Sequence, residues 1–174
     1  GGVSWAAISS GDSVNFNEVV MQNAFTGWIL GDNGRMLRTV NGGLSWSNAV
    51  ITIGFDLNGL SRAGSTLWAV GEVGTILRST NSGNSWTSLD AGSRLSVNWV
   101  DCPSVSTGNA VGQTGLILRT TNSGASWNES ASPAPSVSCY GVKFTDNDHG
   151  WAVGDNGTIL RTTNGTSWTL QASP

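Results

Sequence analysis

The chain says nearly the same thing four times. The segment G-D-N-G-R-M-L-R-T-V-N-G-G-L-S-W (31–46) returns as G-E-V-G-T-I-L-R-S-T-N-S-G-N-S-W (71–86) and G-Q-T-G-L-I-L-R-T-T-N-S-G-A-S-W (112–127). One residue shorter, it returns again as G-D-N-G-T-I-L-R-T-T-N-G-T-S-W (154–168). The leading glycines Gly31, Gly71, Gly112 and Gly154 stand 40, 41 and 42 residues apart. A period of this size calls for a repeat architecture in which each unit buries its flat sides against its neighbours. A unit copied four times is first a stacking device. Any particular chemistry has to reside in the departures from the copy.

The fourth unit reads as strands throughout. Val142-Lys143-Phe144 alternates apolar and polar, Trp151-Ala152-Val153 is a short apolar run, and Thr158 to Thr162 is rich in β-branched residues. Ser167 to Leu170 makes a fourth strand. Between the second and third runs, Gly154-Asp155-Asn156-Gly157 has the chemistry of a tight turn, and Asn164-Gly165-Thr166 turns the chain again. Four short antiparallel strands in about 41 residues make one blade of a β-propeller. Burial on both faces explains why runs such as Thr-Ile-Leu do not alternate strictly. The expected fold is therefore all-β, a single propeller domain over 1–174 with blades at 13–52, 53–92, 93–133 and 134–174.

The turn between the third and fourth strands resembles the Asp-box, or BNR repeat, Ser/Thr-x-Asp-x-Gly-x-Thr-Trp. It reads T-V-N-G-G-L-S-W, S-T-N-S-G-N-S-W, T-T-N-S-G-A-S-W and T-T-N-G-T-S-W. The wider unit, with its G-W-A-V-G-x-x-G-x-I-L-R-T-T, is similar to the propellers of photosystem II assembly factors. That resemblance covers almost the whole chain and implies the propeller fold, with assembly of a photosystem as an implied role. One departure is systematic: Asn41, Asn81, Asn122 and Asn164 stand where the family usually has Asp. An amide oxygen accepts backbone N–H bonds as a carboxylate does, so the turn survives, but cation binding at the box loses its charge. The structural box residues are thus Asn41, Gly43, Trp46, Asn81, Gly83, Trp86, Asn122, Gly124, Trp127, Asn164 and Trp168.

The box tryptophans, and Trp28, Trp68 and Trp151 on the second strands, are expected as packing pieces between blades. The third unit has Gly108-Asn109-Ala110 where the others carry that second-strand Trp. Arg38, Arg78, Arg119 and Arg161 recur once per unit. They either bond the adjacent blade with their stems over apolar surface, or form a ring that grips an anionic partner. Trp99 has no counterpart in the other units. With Tyr140 it offers a glycan-binding surface.

The chain opens Gly1-Gly2-Val3-Ser4-Trp5, which matches Gly42-Gly43-Leu44-Ser45-Trp46 one period later. Residues 1–12 therefore supply one surplus outer strand, about Val3 to Ile8, beyond the four complete blades. A surplus strand leans towards a neighbour to pair with, so Val3, Trp5 and Ile8 join the candidate partner contacts. The two cysteines, Cys102 and Cys139, lie in the variable parts of neighbouring units. They are read as one disulfide between units or as two small buried thiols.

Composition excludes several classes. The formal charge is −3 with one lysine and no basic run, which argues against nucleic acid. No apolar stretch reaches membrane-spanning length. No signal peptide is visible, so a mature chain or one without a leader is expected. The sequons at Asn128, Asn156 and Asn164 also arise from turn chemistry. His149 is the single histidine, in Asp146-Asn147-Asp148-His149-Gly150, a polar turn whose D-x-D pair lacks the rest of a calcium loop. Sialidases share the box, but their chemistry needs an arginine cluster, a nucleophilic Tyr and acidic partners. Tyr140 is the only tyrosine here and the arginines are repeat elements. No catalytic, cofactor or metal residue can be nominated.

The expectation is a non-catalytic scaffold for protein–protein association, including self-assembly into oligomers or filaments through terminal edge strands. A carbohydrate-binding module is the alternative, and a photosystem-type assembly factor is the role implied by resemblance. The expected location is secreted or extracellular, with the periplasm or thylakoid lumen as alternatives.

Overall fold

A computed structural model of the chain describes residues 6–49 and 51–172. Among these, sixteen strands fall into four sheets of four. Blade 1 holds β1 (Phe16–Met21), β2 (Gly27–Gly31), β3 (Met36–Thr39) and β4 (Ser47–Asn48). Blade 2 holds β5 (Leu57–Ala63), β6 (Thr66–Gly71), β7 (Ile76–Ser79) and β8 (Thr87–Leu89). Blade 3 holds β9 (Val97–Asp101), β10 (Gly108–Gly112), β11 (Ile117–Thr120) and β12 (Asn128–Glu129). Blade 4 holds β13 (Cys139–Phe144), β14 (Gly150–Gly154), β15 (Ile159–Thr162) and β16 (Trp168–Gln171). Every sheet is an antiparallel meander in chain order, and the first strands β1, β5, β9 and β13 lie next to one another.

The leading glycine of each repeat has a steric cause. Gly31, Gly71, Gly112 and Gly154 end their second strands, where a Cβ would collide with the carbonyl of Asn15, Asp56, Ser96 or Ser138 at the entrance to the first strand. The next turn is one residue wider than a two-residue hairpin. In blade 4, Asn156 (φ 56) and Gly157 (φ 69) take the left-handed region, and Thr158 N–H closes on the Asp155 carbonyl at 3.0 Å. Asn33 and Gly34 repeat this in blade 1. Val73 holds the same place at φ 53, a costly conformation for a β-branched side chain.

The core lies in three slabs between blades. Trp28, Leu30 and Met36 of blade 1 meet Leu57, Leu60, Leu67, Ala69 and Leu77 of blade 2. Trp68, Val70 and Ile76 meet Val97, Val100, Ala110 and Leu118 of blade 3. Val111 and Ile117 meet Val142, Phe144, Leu160 and Trp168 of blade 4.

The surplus strand does not extend into the described residues. Val3 and Trp5 lie outside them, while Ala6, Ala7 and Ile8 pair with no strand among them and Ile8 is exposed. Of the two readings of the cysteines, the structure has the second: Cys102 and Cys139 are free and buried. Asn98 Nδ2 donates to the Cys139 carbonyl (2.9 Å), so Cys139 stands level with the start of β9, whereas Cys102 follows its end. Four residues of strand separate the two levels, about 13 Å. A disulfide requires Cα atoms within about 7 Å.

Candidate functional site

Three kinds of tie lock one blade to the next, and they account for most of the recurring polar residues. The first begins at a bulge in each first strand. Asn17, Asn58 and Asn98 occupy it and donate through Nδ2 to the carbonyls of Leu57 (2.8 Å), Val97 (3.0 Å) and Cys139 (2.9 Å) in the following blade. In blade 4 the same place belongs to Tyr140, whose hydroxyl donates to Asp155 Oδ2 at 3.2 Å. The recurrence of Asn17, Asn58 and Asn98 at one period is visible in the sequence but is easily passed over as isolated polar letters in strands.

The second tie is a tryptophan under an arginine. Arg38 lies over Trp28 and Arg78 over Trp68, each 6.0 Å from the ring centroid. The next blade's box turn covers the stack. A Cβ on Gly83 would strike Trp28 Nε1, and Arg38 Nη1 donates to Asn84 Oδ1 at 3.0 Å. Blade 3, which lacks the tryptophan, replaces it with the arginine itself. Arg119 is held by Asn109 Oδ1 (3.1 Å) and the Asn147 carbonyl (2.9 Å), and Gly165 of the fourth box abuts its guanidinium. These contacts place Arg38, Arg78 and Arg119 in the joints, and Arg161 makes the same stack over Trp151 at 5.9 Å.

The third tie joins first strands directly. Ser61 Oγ accepts Cys102 N–H at 2.9 Å, and Asp101 Oδ2 accepts Phe144 N–H at 2.8 Å.

In three of the four boxes the amide does more than a carboxylate. Asn41 Oδ1 accepts Ser45 N–H (3.0 Å) while Nδ2 donates to Ser45 Oγ (2.8 Å). Asn81 and Asn122 repeat the pair with Ser85 and Ser126. Asn164 accepts from Thr166 and Ser167 N–H in the shortened fourth box.

The departures from the repeat gather where the first strands end. Register places Glu18, Gly59, Trp99 and Gly141 at one level, Val20, Ser61, Asp101 and Lys143 two residues further on, and Met21, Arg62 and Phe144 one beyond that, with Cys102 directly after Asp101. Glu18, Arg62, Trp99, Asp101 and Lys143 line a cleft of about 560 Å³ that draws on all four blades. A cleft of similar size, about 550 Å³, lies at the opposite end of blade 2 but is built from that blade and its flanking linkers alone.

Inside the shared cleft, Lys143 Nζ binds Asp101 Oδ1 at 2.7 Å, and Arg62 Nη1 donates to the Gly64 carbonyl at 2.6 Å. Burial pushes the Glu18 carboxyl up, against a weaker pull from the Val19 N–H. Burial also pushes the Cys102 thiol well up, and the Asp101 charge adds to it. A thiol held protonated is a poor nucleophile.

Trp99, on the cleft wall, is half-buried against the slab between blades 3 and 4. His149 sits on an exposed loop with Nδ1 2.9 Å from Asp146 Oδ2. Asp146 accepts the N–H groups of Asp148 and His149, which hold its carboxyl below the usual range. Asp148 turns instead towards Arg119. The two carboxylates of the D-x-D pair thus have separate tasks. Among the described residues, no three His, Cys, Asp or Glu side chains converge as metal ligands.

Fold and cleft define an arc of propeller blades whose inner strands frame one polar recess. Residues 2–138 match the family described as photosynthesis system II assembly factor YCF48, and the chain belongs to that family. No curated protein matches the sequence significantly. Among solved structures, YCF48 bound to D1 peptide aligns with a TM-score of 0.69 at 16% identity, over 97% of this chain and 84% of that one. YCF48 from Cyanidioschyzon merolae aligns at 0.75 and 20% identity, over 92% of this chain and 57% of that one. Virginiamycin B lyase from Staphylococcus aureus with quinupristin aligns at 0.77 and 18% identity, again over 57% of the larger protein. The chain thus spans little more than half the length of the last two.

Proposed function

We propose that this chain is a non-catalytic, protein-binding propeller module of the photosystem assembly-factor type, and that its inner-strand cleft receives a segment of a partner polypeptide. The observation that carries the reading is the position of the cleft, a recess to which all four blades contribute and where they differ most. Cations at Arg62 and Lys143, carboxylates at Glu18 and Asp101, and apolar walls from Met21, Leu60 and Trp99 suit a chain with mixed side chains and a polar backbone. A YCF48 structure that holds a D1 peptide supports this choice of ligand. The non-catalytic reading draws on the protonated Cys102 thiol and on the commitment of Asp101 to Lys143 and Phe144 N–H. Working outside the cytoplasm is part of the same proposal.

The test is a titration with overlapping D1-derived peptides and shuffled controls, followed by calorimetry and tryptophan fluorescence. One peptide is expected to bind, and Arg62→Ala with Lys143→Ala is expected to weaken it by about tenfold or more. No peptide binding better than its shuffled control would defeat the reading.

A further inference from the structure

Val73 is costly in two ways. It holds a β-branched side chain in the left-handed region (φ 53), and it leaves that side chain 41% exposed. The same turn position in the other three blades carries Asn33, Thr114 and Asn156, all polar and exposed. Asparagine takes this backbone at little cost. The valine neither eases the turn nor fills the core. Strain that folding does not repay points to a surface kept for another purpose.

Val73 has apolar company. It lines the cleft at the turn end of blade 2, between the linker that enters the blade and the linker that leaves it. Ile53 and Phe55 come from the first linker, and Phe55 is 48% exposed. Leu89 and Ala91 form the other side, anchored in the slab between blades 2 and 3. Both walls lie hard against turns. A Cβ on Gly34 would strike Ile53, and one on Gly74 would strike the Ser93 carbonyl. Blades stack face against face, so a further blade would stand beside blade 1 or blade 4. It would not cover the turn end of blade 2.

Charge around this cleft selects the partner. Asp56 and Glu72 are the chain neighbours of Phe55 and Val73, while Asp90 and Arg94 line the second wall. None of the four joins an ion pair among the described residues. Three carboxylates against one guanidinium leave the rim net negative. Asn33 N–H donates to Asp56 Oδ1 at 2.8 Å, which brings the acidic turn of blade 1, with Asp32, alongside.

We propose that this turn-end cleft is a second docking site and takes a basic segment of a partner polypeptide. One large apolar side chain of that segment sits against Val73 and Phe55, and lysine or arginine on either side faces Asp56, Glu72 and Asp90. Apolar contact supplies the affinity, and the rim supplies the choice of partner. The same rim repels nucleic acid and anionic lipid surfaces. The site is at the opposite end from the first-strand cleft and does not depend on that cleft's ligand.

The experiment uses the full chain and a panel of acetylated, amidated heptapeptides with phenylalanine, leucine or tryptophan at the centre and lysine on both sides. Control peptides carry glutamate for lysine, or alanine at the centre. Binding is read by calorimetry at low and raised salt. A lysine-flanked peptide is expected to bind at least tenfold better than both its controls, and to weaken as salt rises. Val73→Asn and Phe55→Ala are each expected to weaken it by about tenfold or more. Val73→Asn is the sharper test, because it relaxes the turn instead of endangering the fold. Glu72→Gln with Asp90→Asn keeps both acceptor oxygens and is expected to flatten the salt dependence. No panel peptide binding better than both controls, or binding indifferent to Val73→Asn, would overturn the proposal. So would a Val73→Asn chain that melts lower than the unsubstituted one, since the valine would then serve the fold. Sedimentation is run alongside, and self-association abolished by Val73→Asn would overturn the choice of partner by assigning the cleft to another copy. Val73→Asn is expected to bind D1 peptides in the first-strand cleft as before, so the two sites stand or fall separately.

Discussion

Trp68 and Trp151 occupy the same position in blades two units apart, under the same arginine, and live in different worlds. Trp68 is sealed by the third box turn, while Trp151 looks outward. Nothing within the blades sets them apart. The difference is the neighbour, which shows that a blade's second-strand face is made for contact and that burial is conferred by the next unit. In a repeat array, stability resides largely in such nearest-neighbour joints.

Four tests put this contrast under strain. The largest effect is expected from Trp68→Ala, about 3–5 kcal/mol in denaturant unfolding, against under about 1 kcal/mol for Trp151→Ala in dilute chain. Equal costs at the two positions would show that the neighbouring blade confers nothing on Trp68. Next comes the box glycine. Gly83→Ala adds a collision with Trp28 to a strained φ of +75 and is expected to cost about 2–4 kcal/mol, whereas Gly43→Ala pays only for its φ of +85, about 1 kcal/mol. Equal losses in the two thermal melts would mean that the glycine serves the turn alone.

A smaller effect separates the bulge residues. Asn58→Ala leaves the Val97 carbonyl without its partner and is expected to cost about 1–2 kcal/mol, while Tyr140→Phe changes stability by under about 0.5 kcal/mol. The smallest effect is at Val73, where Asn, the residue at Asn33 and Asn156, is expected to raise stability by about 1 kcal/mol by easing the left-handed backbone. A drop in melting temperature would instead show that the valine makes contacts worth its strain.

The cleft gives a pH test of its own. The raised Glu18 carboxyl binds its proton more tightly in the folded chain than in the unfolded one. Stability therefore falls as pH rises from the ordinary glutamate range through the raised value, and stays lower above it. Glu18→Gln is expected to remove that slope, measured as melting temperature against pH. A slope that persists would assign it to another group.

Much of this architecture is legible because repetition amplifies weak signals. A lone Thr-Ile-Leu run is ambiguous between helix and strand, but Thr158-Ile159-Leu160 in register with two similar runs and four turns is not. The box turns can be read for the same reason, and Asn41 with Ser45 does what turn chemistry asks. What stays hidden acts between units. The ties from Asn17, Asn58 and Asn98 reach the following blade, and nothing local in F-N-E or L-N-G reveals a target some forty residues on. Ser61 and Asp101 serve one joint each, so they leave no periodic trace. The cysteines leave two readings open because neighbouring blades need not bring their residues together, and register along the first strands holds these two at different heights. The cleft is beyond reach for the same reason, since register alone brings Glu18, Arg62, Trp99 and Lys143 to one opening. Trp99 stands out in the sequence only because it lacks a counterpart.

The amides at Asn41, Asn81, Asn122 and Asn164 have one more consequence. An aspartate at each of these corners would be an anion that acid can neutralise, loosening every hinge of the array together. An amide has no proton to take up across that range. Souring the surroundings by two or three pH steps should leave these four corners as taut as before.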